Sequence, residues 1–160
     1  MTGVQTCALP ICRRVAIQDF VQQAVLVAKQ VGQPVQLLWT REEDIQHDFY
    51  RPVAMARLTA GLDAAGVPIA LKVRISGQSI VATVAPEMMS ASFDVKFLEG
   101  FLEDMPYAIP NYLVDYAMRN SPVPAGPWRG VNLSQNAFFK ESFIDELAHT
   151  ACAEDRKSVV

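Results

Sequence analysis

The stretch RPVAMARLTAGLDAAGVPIALKVRISG, Arg51–Gly77, decides the fold. From Arg51 to Asp63 the chain alternates, with Val53, Met55, Arg57 and Thr59 against Ala54, Ala56, Leu58 and Ala60. Asp63-Ala-Ala-Gly66 carries turn chemistry, ending on a glycine. From Val67 to Gly77 the alternation resumes, with Ile69, Leu71, Val73 and Ile75 on one face and Lys72 and Arg74 on the other. A period of two on both sides of a short polar turn predicts a β-hairpin of two long strands. One face is polar, so the pair is expected to be antiparallel and half exposed.

On the N-terminal side, Ile17, Phe20, Val21, Ala24, Val25, Ala28 and Val31 recur at helical spacing, and Gly32 and Pro34 stop the pattern. This predicts an amphipathic helix over Val15–Val31. Arg13 and Arg14 stand at its start, where cations oppose the helix dipole; this suggests a missing upstream segment or an anionic partner, with two solvated arginines as the plainer reading. VQLLWT, Val35–Thr40, reads as a short buried strand. Thr40 is placed to cap a turn opened by Glu42 and Glu43. The charged run REEDIQHDFY, Arg41–Tyr50, reads as a solvated helical turn in preference to an acid/base cluster.

On the C-terminal side, Ser79–Gly100 mixes small residues with Pro86, Met88 and Met89, and reads as a surface insertion with some helix. Pro106 and Pro110 make Phe101–Pro110 an extended connector. Asn111–Asn120 alternates, with Tyr112, Val114, Tyr116 and Met118 on one face, and predicts a further strand. Then VPAGPWRGVN, Val123–Asn132, forms a Pro/Gly loop that carries Trp128 and Arg129 onto the pivot Gly130. Ser134 is the candidate N-cap of a helix reaching about Ala153. Phe139, Phe143 and Leu147 form its apolar stripe, widened by Ile144, Ala148 and Ala151, while Lys140, Glu141, Asp145 and Glu146 are assigned to its solvent surface. An aromatic–Arg–Gly step entering a helix N-terminus suits an anion or a polar cofactor; an ordinary connection into a core helix is the plainer reading. The fold class expected is α+β: the hairpin and further strands packed against two amphipathic helices.

Composition removes several function classes. The 160 residues are 51% apolar and 19% charged, with a net charge of −3 and no basic block, so there is no nucleic-acid footprint. No run of about eighteen apolar residues occurs, so no membrane span is expected. The cysteines, Cys7, Cys12 and Cys152, have neither disulfide-framework nor iron–sulfur spacing. His47 and His149 lie far apart in sequence, and no protein-ligated metal site is indicated. Met1–Cys12 and Asp155–Val160 follow no pattern of the interior and look like translated sequencing-adapter DNA, which leaves Arg13–Glu154 as the natural segment.

Three stretches carry a resemblance: LLWTREEDIQHDFYRPVAMARLTAGLDAAG (Leu37–Gly66), YAIPN (Tyr107–Asn111) and GPWRGVNLSQNAFFKESFIDELAH (Gly126–His149). They resemble the molybdopterin-binding large subunit of the xanthine dehydrogenase and aldehyde oxidase family, and within it the isoquinoline 1-oxidoreductase beta-subunit branch. The blocks Leu38–Met55 and Trp128–His149 are the specific parts. The resemblance implies that Trp128, Arg129, Gly130, Val131, Asn132, Leu133, Ser134 and Gln135 replace the family's Phe-Arg-Gly-Phe-Gly-Gly-Pro-Gln. That loop lies beside the molybdenum, with its backbone amides toward the metal's oxygen ligands.

On this resemblance the cofactor-binding residues are Trp128, Arg129, Gly130, Gln135, Arg13 and Arg14. Val131, in place of a substrate-stacking aromatic, is the substrate residue. The family's GGGFG loop would precede Arg13, but Ile11 and Cys12 stand there. Arg14 and Val15 replace a Lys-Glu pair. The general-base glutamate lies in a GxGE-type segment that this chain lacks, so no catalytic residue is assigned; Glu141 and Glu146 read as solvent face. The parent implied is a hydroxylase that takes its oxygen from water, oxidises an N-heterocycle or aldehyde, and passes electrons to a small [2Fe-2S] subunit. The chain alone is expected to bind no molybdopterin, to be inactive, and to leave apolar faces uncovered. Two alternatives stand beside this one. The first is a non-catalytic interaction module that retains the fold. The second is an unrelated α+β ligand-binding domain, which a first helix standing off the strands would favour.

Overall fold

The computed structural model describes residues 18–89, 93–103 and 105–151. Arg13, Arg14, residues 15–17 of the first predicted helix, the cysteines Cys7, Cys12 and Cys152, and the stretches Met1–Cys12 and Asp155–Val160 lie outside the described residues; that helix starts at Asp19, after its N-cap Gln18.

The hairpin forms as its alternation predicts. Strand β1, Ala54–Leu62, pairs antiparallel with β2, Pro68–Gly77. The turn between them is held by Asp63, whose carboxylate accepts from the Ala65 and Val67 amides at 2.9 Å each. On β2, Leu71, Val73 and Ile75 are buried while Lys72 and Arg74 stay exposed. Ile69, at the open end of the same face, is exposed. Ala54, Ala56, Leu58 and Ala60 supply the core face of β1.

Strand β3, Asn111–Met118, pairs with the other edge of β2, and it does so in parallel. The sheet order is β1-β2-β3, so the hairpin's second strand is central. Arg74 and Asp115 are register partners and form an ion pair across the exposed face at 2.9 Å.

The connection from Gly77 to Asn111 is not a surface insertion. It holds helix α3, Val81–Val84, and 3-10 turns at Pro86–Met88 and Val95–Leu98, and it places Ile80, Phe97, Leu98 and Phe101 in the interior. Parallel neighbours need a long crossover, and this one closes over the sheet and becomes half of the core. Phe97 lies so close over Gly77 that a β-carbon there would fall 2.1 Å from its ring. Its ring stacks on Tyr116 with centroids 4.9 Å apart. Ser79 and Asp94, both buried, are hydrogen-bonded at 2.8 Å, and Asp94 also accepts from the Lys96 amide, which fixes the start of the second turn.

Helix α4, Leu133–Thr150, packs on β1, with Phe139 and Phe143 against the core. It begins after Asn132, not at Ser134. Ser134 turns back instead, its hydroxyl donating to the Arg129 carbonyl at 3.3 Å. Lys140, assigned by pattern to the surface, is buried at 7% exposure.

Helix α1, Asp19–Val31, and helix α2, Arg41–His47, lay no residue in the core. Of the two amphipathic helices expected against the sheet, only α4 packs there. Gly32 closes α1 in the left-handed region as its sequence predicts. Thr40 caps α2 in a full capping box with Glu43. Val35–Thr40 is not a strand and is not buried: it finds no strand edge to pair with among the described residues, and Leu37, Leu38 and Trp39 are exposed. The α+β class holds, with a three-stranded mixed sheet and helices on it and beside it.

Burial gives the core tyrosines an alkaline signature. Tyr112 donates to the Phe101 carbonyl at 2.8 Å, and desolvation pushes its phenol from 10.0 up to about 12. A proton held more tightly in the folded chain than in the unfolded chain stabilises fully below pH 10.0, and that contribution is lost as pH rises through about 12. Urea midpoints are expected to be insensitive to Tyr112 below pH 10 and to fall above it. The Tyr112→Phe variant, compared at the same pH values, should show a shallower alkaline fall; an identical slope in both proteins would contradict it.

Candidate functional site

The loop Val123–Asn132 leaves the end of β3 and delivers the chain to α4. It is built on a second segment, Asp48–Arg51. Tyr50 donates its amide to the Pro124 carbonyl and accepts from the Gly126 amide, both at 2.9 Å, which makes Tyr50 and Ala125 a parallel bridge. Gly126 is required there, because a β-carbon would stand 2.6 Å from that of Phe49. The Trp128 indole then donates to the Phe49 carbonyl at 3.1 Å. Arg51 reaches past it: Nη1 donates to the Val131 carbonyl at 2.9 Å and Nη2 to the Arg129 carbonyl at 3.2 Å. The guanidinium also lies over the Trp128 ring, 5.8 Å from its centroid.

Between these contacts the chain makes a tight turn. The Val131 amide donates to the Trp128 carbonyl at 2.7 Å. Gly130 has φ +78°, and a β-carbon there would fall 2.2 Å from the Ser134 hydroxyl. Val131 has φ 42°. A β-branched residue in the left-handed region is a strained conformation, of the kind that persists only where its surroundings fix it.

The entry into α4 is fixed from the opposite side. Asn132, Asn136 and Lys140 follow at intervals of four along one face of the helix. The Asn132 amide group donates to the Lys96 carbonyl at 3.0 Å. That of Asn136 donates to the Phe97 and Glu99 carbonyls at 2.8 and 2.9 Å. Lys140 Nζ donates to the Gly100 carbonyl at 3.2 Å. Among the described residues the Phe97, Glu99 and Gly100 carbonyls have no backbone donor, and this ladder satisfies them. The Asn132 Oδ1 accepts from the Gln135 side chain and makes no side-chain cap to its own helix.

The residues singled out from the sequence fall as follows. Trp128, Arg129, Gly130, Val131 and Gln135 are brought together by the loop and the first turn of α4. Trp128 is 51% exposed, and Arg129 and Gly130 are exposed too. Gln135 turns inward: its amide group donates to Asn132 Oδ1 at 3.2 Å, and its Oε1 is buried with no hydrogen-bond partner among the described residues. Arg13 and Arg14 lie outside the described residues. Glu141 accepts from the Tyr107 hydroxyl. This bond, with smaller contributions from burial and Asp145, raises the Tyr107 phenol to about 12. Among the described residues, no group of three or more His, Cys, Asp or Glu side chains is placed to hold a metal ion. None of their helices is long and apolar enough to cross a membrane.

Sequence reasoning missed Arg51 and the Asn132–Asn136–Lys140 ladder. The ladder had a signal, three long hydrogen-bond donors at i, i+4 and i+8 beside the apolar stripe. Arg51 had a weaker one, a lone cation at the junction of the charged turn and the hairpin.

A family described as "Molybdopterin cofactor-binding domain" matches residues 18–155. The chain is also similar to the isoquinoline 1-oxidoreductase subunit beta of Brevundimonas diminuta, 23% identical over 135 residues. That similarity covers 82% of this chain and 17% of the relative, so the chain spans about a sixth of the length of the curated protein it matches. No solved structure matches it.

The ladder makes a direct prediction. Asn136→Ala strips two carbonyls of their donor in a fully buried position, and should cost about 1–3 kcal/mol. Urea unfolding is expected to show a lower midpoint at an unchanged slope. A midpoint equal to that of the wild type would show that the ladder is not holding α4.

Proposed function

The chain belongs to the molybdopterin cofactor-binding domain family, and from that membership we propose that it forms one wall of a molybdopterin site in a large-subunit molybdenum hydroxylase. The observation that carries the proposal is the Trp128–Gln135 loop, strained at Val131 and held by Arg51 from the other of the two blocks that resemble the family. The helix α1 that stands off the sheet, a feature of an unrelated ligand-binding domain, does not outweigh a family match over residues 18–155.

The residues present suit the group. Gly130 is exposed and its amide donates to nothing among the described residues, and oxygen ligands and phosphates are acceptors. The orphaned Gln135 Oε1 is an acceptor, and a pterin ring is rich in N–H donors. When bound, molybdopterin supplies the two-electron redox centre. The chain's own part is to orient it: Trp128, Arg129 and Gly130 line the approach, Gln135 offers its carbonyl, and Val131 borders the space where a substrate ring would lie. Arg13 and Arg14 are proposed as further cofactor contacts from the segment before α1.

In the parent subunit we place the reaction as hydroxylation of an electron-poor carbon of an N-heterocycle or aldehyde, with oxygen from water. The general-base glutamate comes from another part of that subunit, and electrons leave to a small [2Fe-2S] partner. Because this chain supplies one wall only, it is not expected to be active alone.

Two experiments test the reading. The 160-residue chain, expressed with molybdopterin maturation and analysed for metal, should carry far less than one molybdenum per chain; stoichiometric molybdenum would show that it holds the whole site. In the complete subunit, Val131→Phe should depress kcat/KM for bicyclic substrates more than for monocyclic ones, by roughly ten- to a hundredfold for a mismatched ring. Equal losses for both ring sizes would remove Val131 from the substrate space.

A further inference from the structure

We propose that Arg51 is a positioning residue of this cofactor wall: its guanidinium holds two loop carbonyls on one side of the Trp128–Asn132 turn and thereby fixes the turn with the Gly130 amide aimed out of the other. The inference rests on the proposed cofactor role of the loop; the geometry itself does not.

In a trans peptide the carbonyl of one residue and the amide of the next point in opposite directions. No described peptide bond is cis. Arg51 holds the Arg129 carbonyl at Nη2 and the Val131 carbonyl at Nη1. Both carbonyls therefore converge on one planar group, and the Gly130 amide, in the peptide of the first, points away from it. Gly130 is exposed and its amide makes no hydrogen bond among the described residues, whereas the Val131 amide after it is consumed by the turn and Asn132 is buried. The result is one free donor on the outer side of the turn, which suits an oxo or phosphate oxygen.

Only arginine fits this place. Its planar fork presents parallel N–H groups at fixed spacing, so two carbonyls two residues apart can be bound at once. The guanidinium lies over the Trp128 ring, 5.8 Å from its centroid, and the Trp128 indole, bound to Phe49, is itself tied to the segment that carries Arg51. Lysine in this position would keep the charge and lose both the plane and the pairing. The strain at Val131 gives the fork something to do: the turn holds φ 42° at a β-branched residue only while its two flanking carbonyls are held.

The test compares the full chain with its Arg51→Ala and Arg51→Lys variants by amide hydrogen exchange. The wild-type Val131 amide is expected to be protected. Both variants should exchange it roughly tenfold faster or more, with the Val73 and Ile75 amides of β2 unchanged. Protection of Val131 that survives Arg51→Ala, or is restored by Arg51→Lys, overturns the fork. Loss of protection across β2 as well overturns it too, because Arg51 would then serve the whole fold. The second arm measures molybdenum per complete subunit carrying Arg51→Lys, and a several-fold loss is expected. A loosened loop with full molybdenum occupancy overturns the positioning role and faults the cofactor reading of the loop. A loop that stays tight while molybdenum is lost faults the fork alone.

Discussion

Strand β2 has an antiparallel neighbour on one edge and a parallel neighbour on the other, and much of the architecture answers to that second pairing. A parallel neighbour cannot be reached by a tight turn. The chain must travel from Gly77 to Asn111 across one face of the sheet, and the crossing segment is mostly irregular. Its Phe97, Leu98 and Phe101 close the core, which leaves the Phe97, Glu99 and Gly100 carbonyls without backbone donors among the described residues. Carbonyls turned inward need donors. Asn136 and Lys140 on α4 supply them, and Asn132 at its N-cap adds a second donor to the Lys96 carbonyl. The place where α4 begins is therefore set by the crossover it serves, and the loop that enters α4 is placed as a consequence.

The legible parts of the sequence are those where one local pattern meets one local environment. The hairpin was readable because Leu71, Val73 and Ile75 alternate with Lys72 and Arg74 over a sheet with one wet face. Gly32 and the Thr40–Glu43 box were readable because caps act within a few residues. Ser79–Gly100 was not, since an irregular crossover has no period: Phe97 is interior because of Gly77 and Tyr116, and neither lies near it in the chain. Lys140 was misassigned for a related reason. A helical lysine beside an apolar stripe ordinarily faces solvent, and here it is buried by carbonyls about forty residues away.

Apolar residues that found no core tell a complementary story. Val25, Leu26, Val27 and Val31 on α1, and Leu37, Leu38 and Trp39 after it, have the composition of buried segments and are exposed, Leu38 at 76%. The period in α1 was read correctly as helix, but a period fixes which side is apolar without fixing what covers it. For Val35–Thr40 the same apolar content was read as a strand, and a strand needs an edge. β1 is the open edge of the sheet on the hairpin side, yet the segment does not pair with it among the described residues.

In the candidate site the amino acids were legible and their arrangement was not. Trp128, Arg129 and Gly130 stand out in any reading of the loop, because an aromatic, a cation and a glycine before a helix are unusual company. What gives them a defined shape lies some eighty residues earlier, in the Arg51 contacts to Val131 and Arg129. The loop cannot set its own conformation. Val131 opposes it by its β-branch, and the side chain of Asn132 is committed to the crossover. A turn whose residues work against their own backbone must be held from outside, and the outside group has to contact backbone, since the side chains point elsewhere. This explains why both specific blocks, Leu38–Met55 and Trp128–His149, are needed to make a single surface. It also leaves the shape of that surface to peptide groups fixed by Arg51 and to a Trp128 indole tied to the Phe49 carbonyl.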